Sequence, residues 1–432
     1  MACYFWAHSF CRNTMNEQLI VKNFGPIKDA PVDFKRVTVF IGPTGGGKST
    51  LAKLAASFRS RKFLAERPKV RIELFNNYSI KRYFLPNTGL SWEYKDSIIS
   101  SGNDLAFSAP IAIEQSSSEV TGKHLAKINP NKEEAAILLN IFQKTTDAAQ
   151  NKISAEDLND SIDNIKKVYP TAFEKLTKFL QELKSENESF EPVYIPSERI
   201  FLSSIEYSWA GLMSENIGLT KPMLEFANRF SLSRKNIQEL DVPIFNVQYL
   251  HQGGQDFIKV PGVENLFRLY ETASGIQSVT PLLVLLEHLS RNTEQAQSFI
   301  IEEPELNLYP TAQQRLLNWL VEKCTKGEND LTITTHSPYL LAHFNLLLYA
   351  HQVAKNHPDR ADDVAKIVPR ESWIDPKEFA AYHVEGQQEN GVRSIINPET
   401  GLISHNSLDS TASAETAEFE KLLDINAGLE VE

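Results

Sequence analysis

The chain contains the stretch Gly42-Pro43-Thr44-Gly45-Gly46-Gly47-Lys48-Ser49, which fits the pattern G-x-x-x-x-G-K-[ST]. Before it, Val37–Ile41 are all β-branched or aromatic and predict a buried strand; after it, residues 49–56 have apolar side chains at helical spacing. Glycines let backbone N–H groups turn inward around phosphates, and the N-terminus of the following helix attracts the same charge. In such a loop Lys48 reaches the β- and γ-phosphates of a nucleotide, and the Ser49 hydroxyl binds Mg²⁺. This context favours a phosphate-binding loop over a glycine-rich turn that merely ends in Lys-Ser.

Composition limits the classes of protein to consider. The chain has 432 residues, of which 42% are hydrophobic and 23% charged, as in an ordinary globular protein with two or three units or one large domain with insertions. Its formal net charge of −11 argues against nucleic-acid binding over the whole surface. No apolar run approaches the ~18 residues of a membrane helix. We therefore expect no membrane partner.

The cysteines and the N-terminus indicate a cellular compartment. Only Cys324 lies in the body of the chain, since Cys3 and Cys11 fall in an N-terminal leader that lacks the basic region of a signal peptide. This is not a disulfide framework, so we predict a cytoplasmic protein. Translation could start at Met1 or at Met15, because the regular pattern begins just after Met15.

The order of predicted elements indicates an α/β protein. The final third alternates strand and helix from Val279 to Lys355, which predicts a mostly parallel sheet. Apolar residues at helical spacing predict a helical insert within residues 132–187. The predicted domains are a leader outside the fold (1–17), a first half with the phosphate loop and a β-rich lobe (18–131), the helical insert (132–187), a second half (188–403) and an acidic tail (404–432).

Residues 58–84 have a local excess of positive charge on an acidic protein. Only two acidic residues, Glu66 and Glu73, offset this charge. The segment between residues 59 and 82 is the best candidate for a nucleic-acid surface, although a solvated face near a helix end would have the same composition. Its basic residues are Arg59, Arg61, Lys62, Arg67, Lys69, Arg71, Lys81 and Arg82.

Two later strands end in residues suited to nucleotide hydrolysis. Phe299–Ile301 precede Glu302 and Glu303, and an ATPase needs one carboxylate to hold Mg²⁺ through its waters and another to deprotonate the attacking water. We assign Glu302 to the metal and Glu303 to the water. His336 follows the apolar strand Leu331–Thr334, where a histidine can contact the γ-phosphate or serve only a structural purpose.

A third segment, Thr272–Ser278, opens a predicted helix. Ser274 could cap this helix, and Gly275 permits a close backbone approach, which together would form an anion site. A plain helix cap would have the same sequence.

The order of these four motifs resembles that of the ABC-type ATPase superfamily. Within it, the chain is similar to the soluble branch that contains RecF, SMC and OLD-type ATPases, over roughly residues 18–115 and 190–400. The segments on which this resemblance rests are Leu19-Ile20-Val21-Lys22-Asn23-Phe24, Ser274-Gly275-Ile276-Gln277, Glu302-Glu303-Pro304-Glu305 and Tyr194-Ile195-Pro196-Ser197-Glu198. The resemblance implies an ATPase head that uses ATP and Mg²⁺, with Thr50 and Gln277 at the nucleotide and Asn23 near the adenine. Glu198 would substitute for the metal-proximal Gln of transporters.

The resemblance is strongest to stand-alone ATPase subunits of bacterial anti-phage systems, the PtuA and AriA types, which work beside a separate nuclease. It implies that two heads close head-to-tail over ATP, so that Ser274 and Gly275 meet the γ-phosphate held by Lys48 of the partner subunit. Hydrolysis would then be slow and dependent on oligomerisation. The predicted function is a nucleotide-gated sensor or scaffold that controls an effector nuclease in antiviral defence.

The alternative is a RecF-like ATPase that binds DNA in repair or recombination, which the basic segment would favour. An OLD-type nuclease is disfavoured because no Asp-x-Asp pattern follows His336. A transporter subunit is disfavoured by the Ser274–Gln277 signature and by the inserts. The trigger, the stoichiometry, and whether ATP turnover or ATP occupancy is the signal stay open.

Overall fold

The computed structural model describes residues 17–60, 63, 68–94, 97–101, 107–108, 192–205, 218–291, 296–386 and 391–404. These residues belong to one of the two units into which the chain divides, the unit of residues 1–108 and 192–432. The predictions for the leader, the helical insert (132–187) and the tail beyond residue 404 lie outside the described residues. So do those for Arg61, Lys62, Arg67 and the Lys69 side chain.

Between Val279 and Lys355 the described elements alternate between helix and strand, as predicted. The strands are β1 (Glu17–Phe24), β2 (Ile27–Phe34), β3 (Val37–Ile41), β4 (Phe84–Tyr94), β5 (Ser97–Ser101), β6 (Phe107–Ser108), β7 (Val193–Ile195), β8 (Glu239–Val242), β9 (Val247–Gln252), β10 (Gln255–Lys259), β11 (Leu266–Arg268), β12 (Ser298–Glu302), β13 (Asp330–Thr335), β14 (Phe379–Val384) and β15 (Val392–Ser394). The helices are α1 (Lys48–Arg59), α2 (Pro68–Asn77), α3 (Phe201–Ile205), α4 (Lys221–Asn236), α5 (Ser274–Ser290), α6 (Pro310–Cys324), α7 (Pro338–Asn356) and α8 (Ala361–Ile367).

A six-stranded sheet with the order β15-β14-β3-β13-β12-β7 forms the centre. Every pairing in it is parallel except that of β14 with β15. All residues of β3, β12, β13 and β14 are buried, as expected for strands covered on both faces. The prediction of a mostly parallel α/β sheet is confirmed. The sequence analysis missed β14, whose Phe-Ala-Ala-Tyr-His-Val has no marked strand pattern.

Two further sheets are antiparallel. The first has the order β2-β1-β4-β5-β6 and is the predicted β-rich lobe; the second has the order β11-β10-β9-β8. The first lies beside α1, and its β1–β2 turn places Pro26 and Ile27 next to the loop that follows β3.

The core lies on the two faces of the central sheet, because alternate strand residues point in opposite directions. On β3, Val37, Val39 and Ile41 pack with α5, α6 and α7. Phe40 points to the other face, toward α1 and the first antiparallel sheet. Pro310 and Pro338 stand in the first turns of α6 and α7, where proline is favoured, and Ser337 caps α7 by accepting from Leu340 N. No described helix is long and apolar enough to cross a membrane.

Candidate functional site

The loop between β3 and α1 needs glycine at defined positions. Gly47 has a φ of +110°, and a Cβ there would lie 2.3 Å from Ile27 Cδ1. A Cβ on Gly42, whose φ is +150°, would lie 2.3 Å from the Val384 carbonyl oxygen. Pro43, Thr44 and Gly45 are exposed at the tip of the loop. The backbone therefore takes the glycine-dependent conformation that a phosphate-binding loop requires.

The end of β14 supports this loop from the side. The backbone N–H of Gly386 donates to the Gly46 carbonyl at 3.0 Å, and Lys28 N donates to the Gly386 carbonyl at 2.9 Å. A Cβ on Gly46 would lie 2.4 Å from the Val384 carbonyl oxygen. These supporting residues were not predicted; Gly386 as an isolated glycine after an apolar run was the only local signal.

Lys48 is buried and folded back over the loop. Its Nζ donates to the carbonyls of Gly42 at 2.9 Å and Pro43 at 3.0 Å, and lies 3.5 Å from His336 Nδ1. Burial lowers the pKa of Lys48, while the charges of the nearby glutamates, led by Glu303, oppose that shift. The ammonium group thus stands where it could exchange neutral carbonyl partners for phosphate oxygens.

Glu302 ends β12 in a buried position. Burial raises the pKa of its carboxyl group, and the positive charge of Lys53 and hydrogen bonding with Ser49 oppose the shift. Within the described part of the chain, Glu302 Oε1 has no hydrogen-bond partner. A carboxylate oxygen without a partner beside the Ser49 hydroxyl fits the Mg²⁺ ligands predicted from the sequence.

The described residues include no group of three His, Cys, Asp or Glu side chains able to hold a metal ion. A magnesium ion at Ser49 and Glu302 would therefore complete its coordination with phosphate oxygens and waters, as Mg²⁺ usually does in nucleotide sites. Glu198 is exposed and accepts from Ser197 Oγ at 3.1 Å, and its charge contributes to raising the pKa of Glu302. Its metal role stays a prediction.

Glu303 follows in a left-handed backbone conformation, with a φ of +41°. Its backbone N–H donates to the Thr334 carbonyl at 2.9 Å. Its Oε1 lies 3.2 Å from His336 Nε2, and both side chains are partly exposed. Glu303, His336 and Lys48 thus form a continuous line of polar groups at the carboxyl end of the central sheet.

Glu305, which the sequence analysis gave no role, underlies this line. Its Oε1 accepts from Thr335 Oγ1 at 2.5 Å and from the backbone N–H of His336 at 2.9 Å. Burial raises its pKa, and Oε2 has no partner among the described residues. Ser337 extends the network, since its backbone N–H donates to Thr335 Oγ1 at 3.0 Å. The available sequence signal was that Glu305 is the third glutamate within residues 302–305.

The segment around Ser274 differs from its prediction. Ala273 is the N-cap residue of α5 and Ser274 is the first helical residue, with no side-chain cap bond, so the prediction that Ser274 caps this helix is wrong. Ser274 is exposed. A Cβ on Gly275 would lie 2.8 Å from the Asn307 carbonyl oxygen, so glycine here permits contact with the loop after Glu305.

Gln277, Asn23 and Thr50 also have defined places. Gln277 donates to the Thr272 carbonyl at 2.6 Å and accepts from Ser203 Oγ at 2.7 Å, so its amide binds its own chain. Asn23 is exposed, with a φ of +49°, and Thr50 is buried in α1. A direct role at ATP stays a prediction for all three.

Two residues of the predicted nucleic-acid surface, Arg59 and Arg71, are buried. Arg59 is buried, where it donates to Glu17 Oε1 at 2.7 Å and Asp330 Oδ1 at 2.8 Å. Arg71 is buried and donates to the Phe63 carbonyl at 2.9 Å. Including these two arginines in a solvent-facing patch was wrong, because internal oxygens bind both guanidinium groups. Lys81 and Arg82 are exposed.

Comparison with solved structures finds similar chains, two of which are SMC head domains. One is an Smc head domain with an extended coiled coil, bound to the C-terminal domain of ScpA, from Pyrococcus furiosus; it has a TM-score of 0.35 and 13% identity, covering 94% of this chain and 100% of that one. The other is the SMC head domain from Thermotoga maritima, with a TM-score of 0.34 and 10% identity, covering 76% of this chain and 92% of that one. Comparison with curated proteins gives no match.

A family model described as an AAA ATPase domain matches residues 109–341, more than half of the chain. The matched range contains Glu302, Glu303 and His336 and begins after the phosphate loop. The chain therefore belongs to the AAA ATPase domain family, and its central sheet consists mostly of parallel pairings.

Proposed function

We propose that the protein binds ATP with Mg²⁺ at residues 42–49 and hydrolyses it with Glu303 as the general base. The observation that carries this assignment is the line from Lys48 Nζ to His336 Nδ1, 3.5 Å, and from His336 Nε2 to Glu303 Oε1, 3.2 Å. Lys48, which would bind the phosphates, lies at Nδ1 of His336. Glu303, which would activate the water, lies at Nε2 of the same ring.

Each residue has one task in this mechanism. Lys48 offsets the charge of the β- and γ-phosphates, and Glu303 accepts the proton of the attacking water. His336 orients the Glu303 carboxylate through Nε2, and its backbone N–H is held by Glu305. Ser49 and Glu302 would hold Mg²⁺, which supplies neutralisation of phosphate charge when bound.

The test separates binding from chemistry. Lys48→Ala should abolish ATP binding in calorimetry, because the phosphates lose their main cationic partner. Glu303→Gln should keep ATP bound, while turnover falls by about 10²–10⁴-fold, because an amide cannot accept the proton. Glu371→Gln, at an exposed position, is the matched control. Unchanged ATP affinity in Lys48→Ala, or unchanged turnover in Glu303→Gln, would contradict the assignment.

We also propose that the active state is a head-to-tail dimer. Ser274 is exposed, and among the described residues no hydrogen bond joins it to residues 42–49. The proposal places Ser274 and Gly275 at the γ-phosphate held by Lys48 of the partner subunit. Ser274→Arg should then permit ATP binding and prevent closure. Mixing Lys48→Ala with Ser274→Arg chains should restore some activity, since both lesions can share one composite site; no recovery would oppose the dimer.

The proposed use of this cycle is nucleotide-gated control of a separate effector nuclease in anti-phage defence. The net charge of −11 and the burial of Arg59 and Arg71 favour a protein partner over a nucleic acid. Affinity purification of Glu303→Gln with ATP from the native host should enrich a nuclease over Lys48→Ala. Equal recovery from both variants would oppose gating by ATP.

The alternative function is direct DNA binding in repair or recombination. The exposed side chains of Lys81 and Arg82 support it. Each lost phosphate contact lowers the salt slope of duplex DNA binding by roughly 0.9. A double reversal, Lys81→Glu with Arg82→Glu, should therefore flatten the slope if these residues bind DNA. If the unaltered protein shows no salt-dependent binding at low ionic strength, this alternative fails.

A further inference from the structure

Arg199 is the largest fully buried side chain described, with 0% of its surface exposed. It lies in the 3₁₀ turn Ser197–Ile200 that follows β7. Its four hydrogen bonds to described residues all go to backbone carbonyl oxygens. They are those of Glu302 at 2.8 Å, Glu303 at 2.8 Å, Pro304 at 3.1 Å and Pro196 at 3.3 Å.

Three of these carbonyls belong to consecutive residues, so one guanidinium group fixes the backbone of the whole segment 302–304. The planar fork of arginine suits such a set of acceptors, whereas a lysine ammonium group acts as a point charge. Burial lowers the pKa of Arg199 to about 10, and the nearby glutamates, led by Glu305, oppose the shift. The group therefore stays charged at neutral pH.

The segment that Arg199 binds contains Glu303, whose backbone conformation is strained. A left-handed conformation costs free energy for any residue with a Cβ, and Glu303 has a φ of +41°. Its N–H is held by the Thr334 carbonyl at 2.9 Å, and its carbonyl is held by Arg199. With both backbone groups bound, the side chain is directed to His336 Nε2, 3.2 Å away.

We propose that Arg199 is a positioning residue for the water-activating carboxylate. It holds residues 302–304 in the conformation that sets Glu303 against His336, and it touches neither nucleotide nor water itself. The inference rests on the proposed role of Glu303 as general base. It assigns a function to a side chain that no motif in the sequence distinguishes.

The test compares two arginines that both bind carbonyl oxygens. Arg199→Met and Arg199→Lys should lower kcat by about 10–100-fold, the scale of a misplaced catalytic group, while the Kd for ATP changes less than threefold. Arg36 provides the matched control, because it donates to the carbonyls of Thr325 and Gly327 at the opposite end of the sheet. Arg36→Met and Arg36→Lys should leave kcat per folded molecule unchanged.

A double-mutant cycle with Glu303→Gln gives the decisive readout. If Arg199 acts through Glu303, Arg199→Lys should lower turnover in the unaltered protein and have little further effect in Glu303→Gln. Additive effects would overturn the proposal, as would a parallel loss of ATP affinity and kcat in Arg199→Lys. If Arg199→Met does not fold, the cycle with Arg199→Lys decides. If Glu303→Gln alone leaves turnover intact, the general-base assignment fails and the Arg199 proposal fails with it.

Discussion

Two buried arginines, Arg59 and Arg199, lie at opposite ends of β12 and β13. At the amino end, Arg59 donates to the carboxylates of Glu17 and Asp330 and to Ser298 Oγ at 2.8 Å. At the carboxyl end, the partners of Arg199 among the described residues are all backbone carbonyls, although Glu302 and Glu303 supply two of them.

The difference separates an end that is held by side-chain ion pairs from the end at which we propose that ATP is hydrolysed. At Arg59, one guanidinium group pairs with two carboxylates and ties α1 to β1 and β13. At Arg199, the guanidinium group orders the backbone and leaves the carboxylates to other partners. Glu302 Oε1 and Glu305 Oε2 have no hydrogen-bond partner in the described part of the chain, and burial raises both pKa values. Incomplete pairing at this end leaves groups available to a ligand.

The largest effect on stability is expected from Arg59→Met. It leaves the Glu17 and Asp330 carboxylates without their cation, and breaking a buried pair in this way costs about 3–5 kcal/mol of unfolding free energy. Arg36→Met removes a partly exposed arginine and should cost about 1 kcal/mol or less. Urea unfolding measures both. A loss of unfolding free energy below about 1 kcal/mol for Arg59→Met would contradict the inference that its ion pairs stabilise the amino end of the sheet.

A somewhat smaller effect is expected at the phosphate loop. Gly47→Ala forces a Cβ against Ile27 at a φ of +110°, which should cost about 2–4 kcal/mol from backbone strain and overlap. Gly45→Ala is the matched control, because its φ is +80° but no atom lies within 4 Å of the new Cβ; it should cost about 1–2 kcal/mol. Equal losses of unfolding free energy for the two variants would show that the overlap of the new Cβ with Ile27 does not destabilise the loop.

Two threonines on β13 allow the two ends to be compared along one strand. Thr335→Val removes the donor to Glu305 Oε1 and the acceptor of Ser337 N, and should cost about 1–3 kcal/mol. Thr332→Val removes only a long bond from Arg59, 3.4 Å, and should cost less than about 1 kcal/mol. Thermal or urea unfolding gives the difference. The reverse order would mean that the amino end depends more on hydroxyl bonding.

The smallest effect is a pH dependence. Burial raises the folded-state pKa of Glu305 above its ordinary value of 4.5, so the folded protein binds this proton more tightly than the unfolded chain does. The resulting contribution to stability is present in full below 4.5 and is lost as the pH rises through the folded-state pKa. Glu305→Gln should reduce this decline in urea unfolding without nucleotide. Identical pH profiles in Glu305→Gln and in the control Glu371→Gln would contradict it.

Much of the site could be predicted because its signals are local. The strand–loop–helix around residues 42–49 is encoded by neighbouring residues, and the apolar runs before Glu302 and His336 form β12 and β13. The parallel order of those strands then brings their carboxyl ends together. Helices α5, α6 and α7 were expected from apolar spacing. The start of α5 was misjudged, because the helix begins at Ser274 rather than at Val279 and its N-cap is Ala273.

The sequence alone therefore determined the phosphate loop, the acidic strand end and the α/β class, since glycine positions and hydrophobic periods act over a few residues. Tertiary structure alone decided which charged side chains turn inward. The sequence suggests that Arg59 is a surface charge. In the structure it is buried, because β1 and β13 supply two carboxylates from positions 42 and 271 residues away. Arg199 has no visible role until the carbonyls of residues 302–304 surround it. The burial of a charge depends on partners distant in the chain, and no local pattern records them.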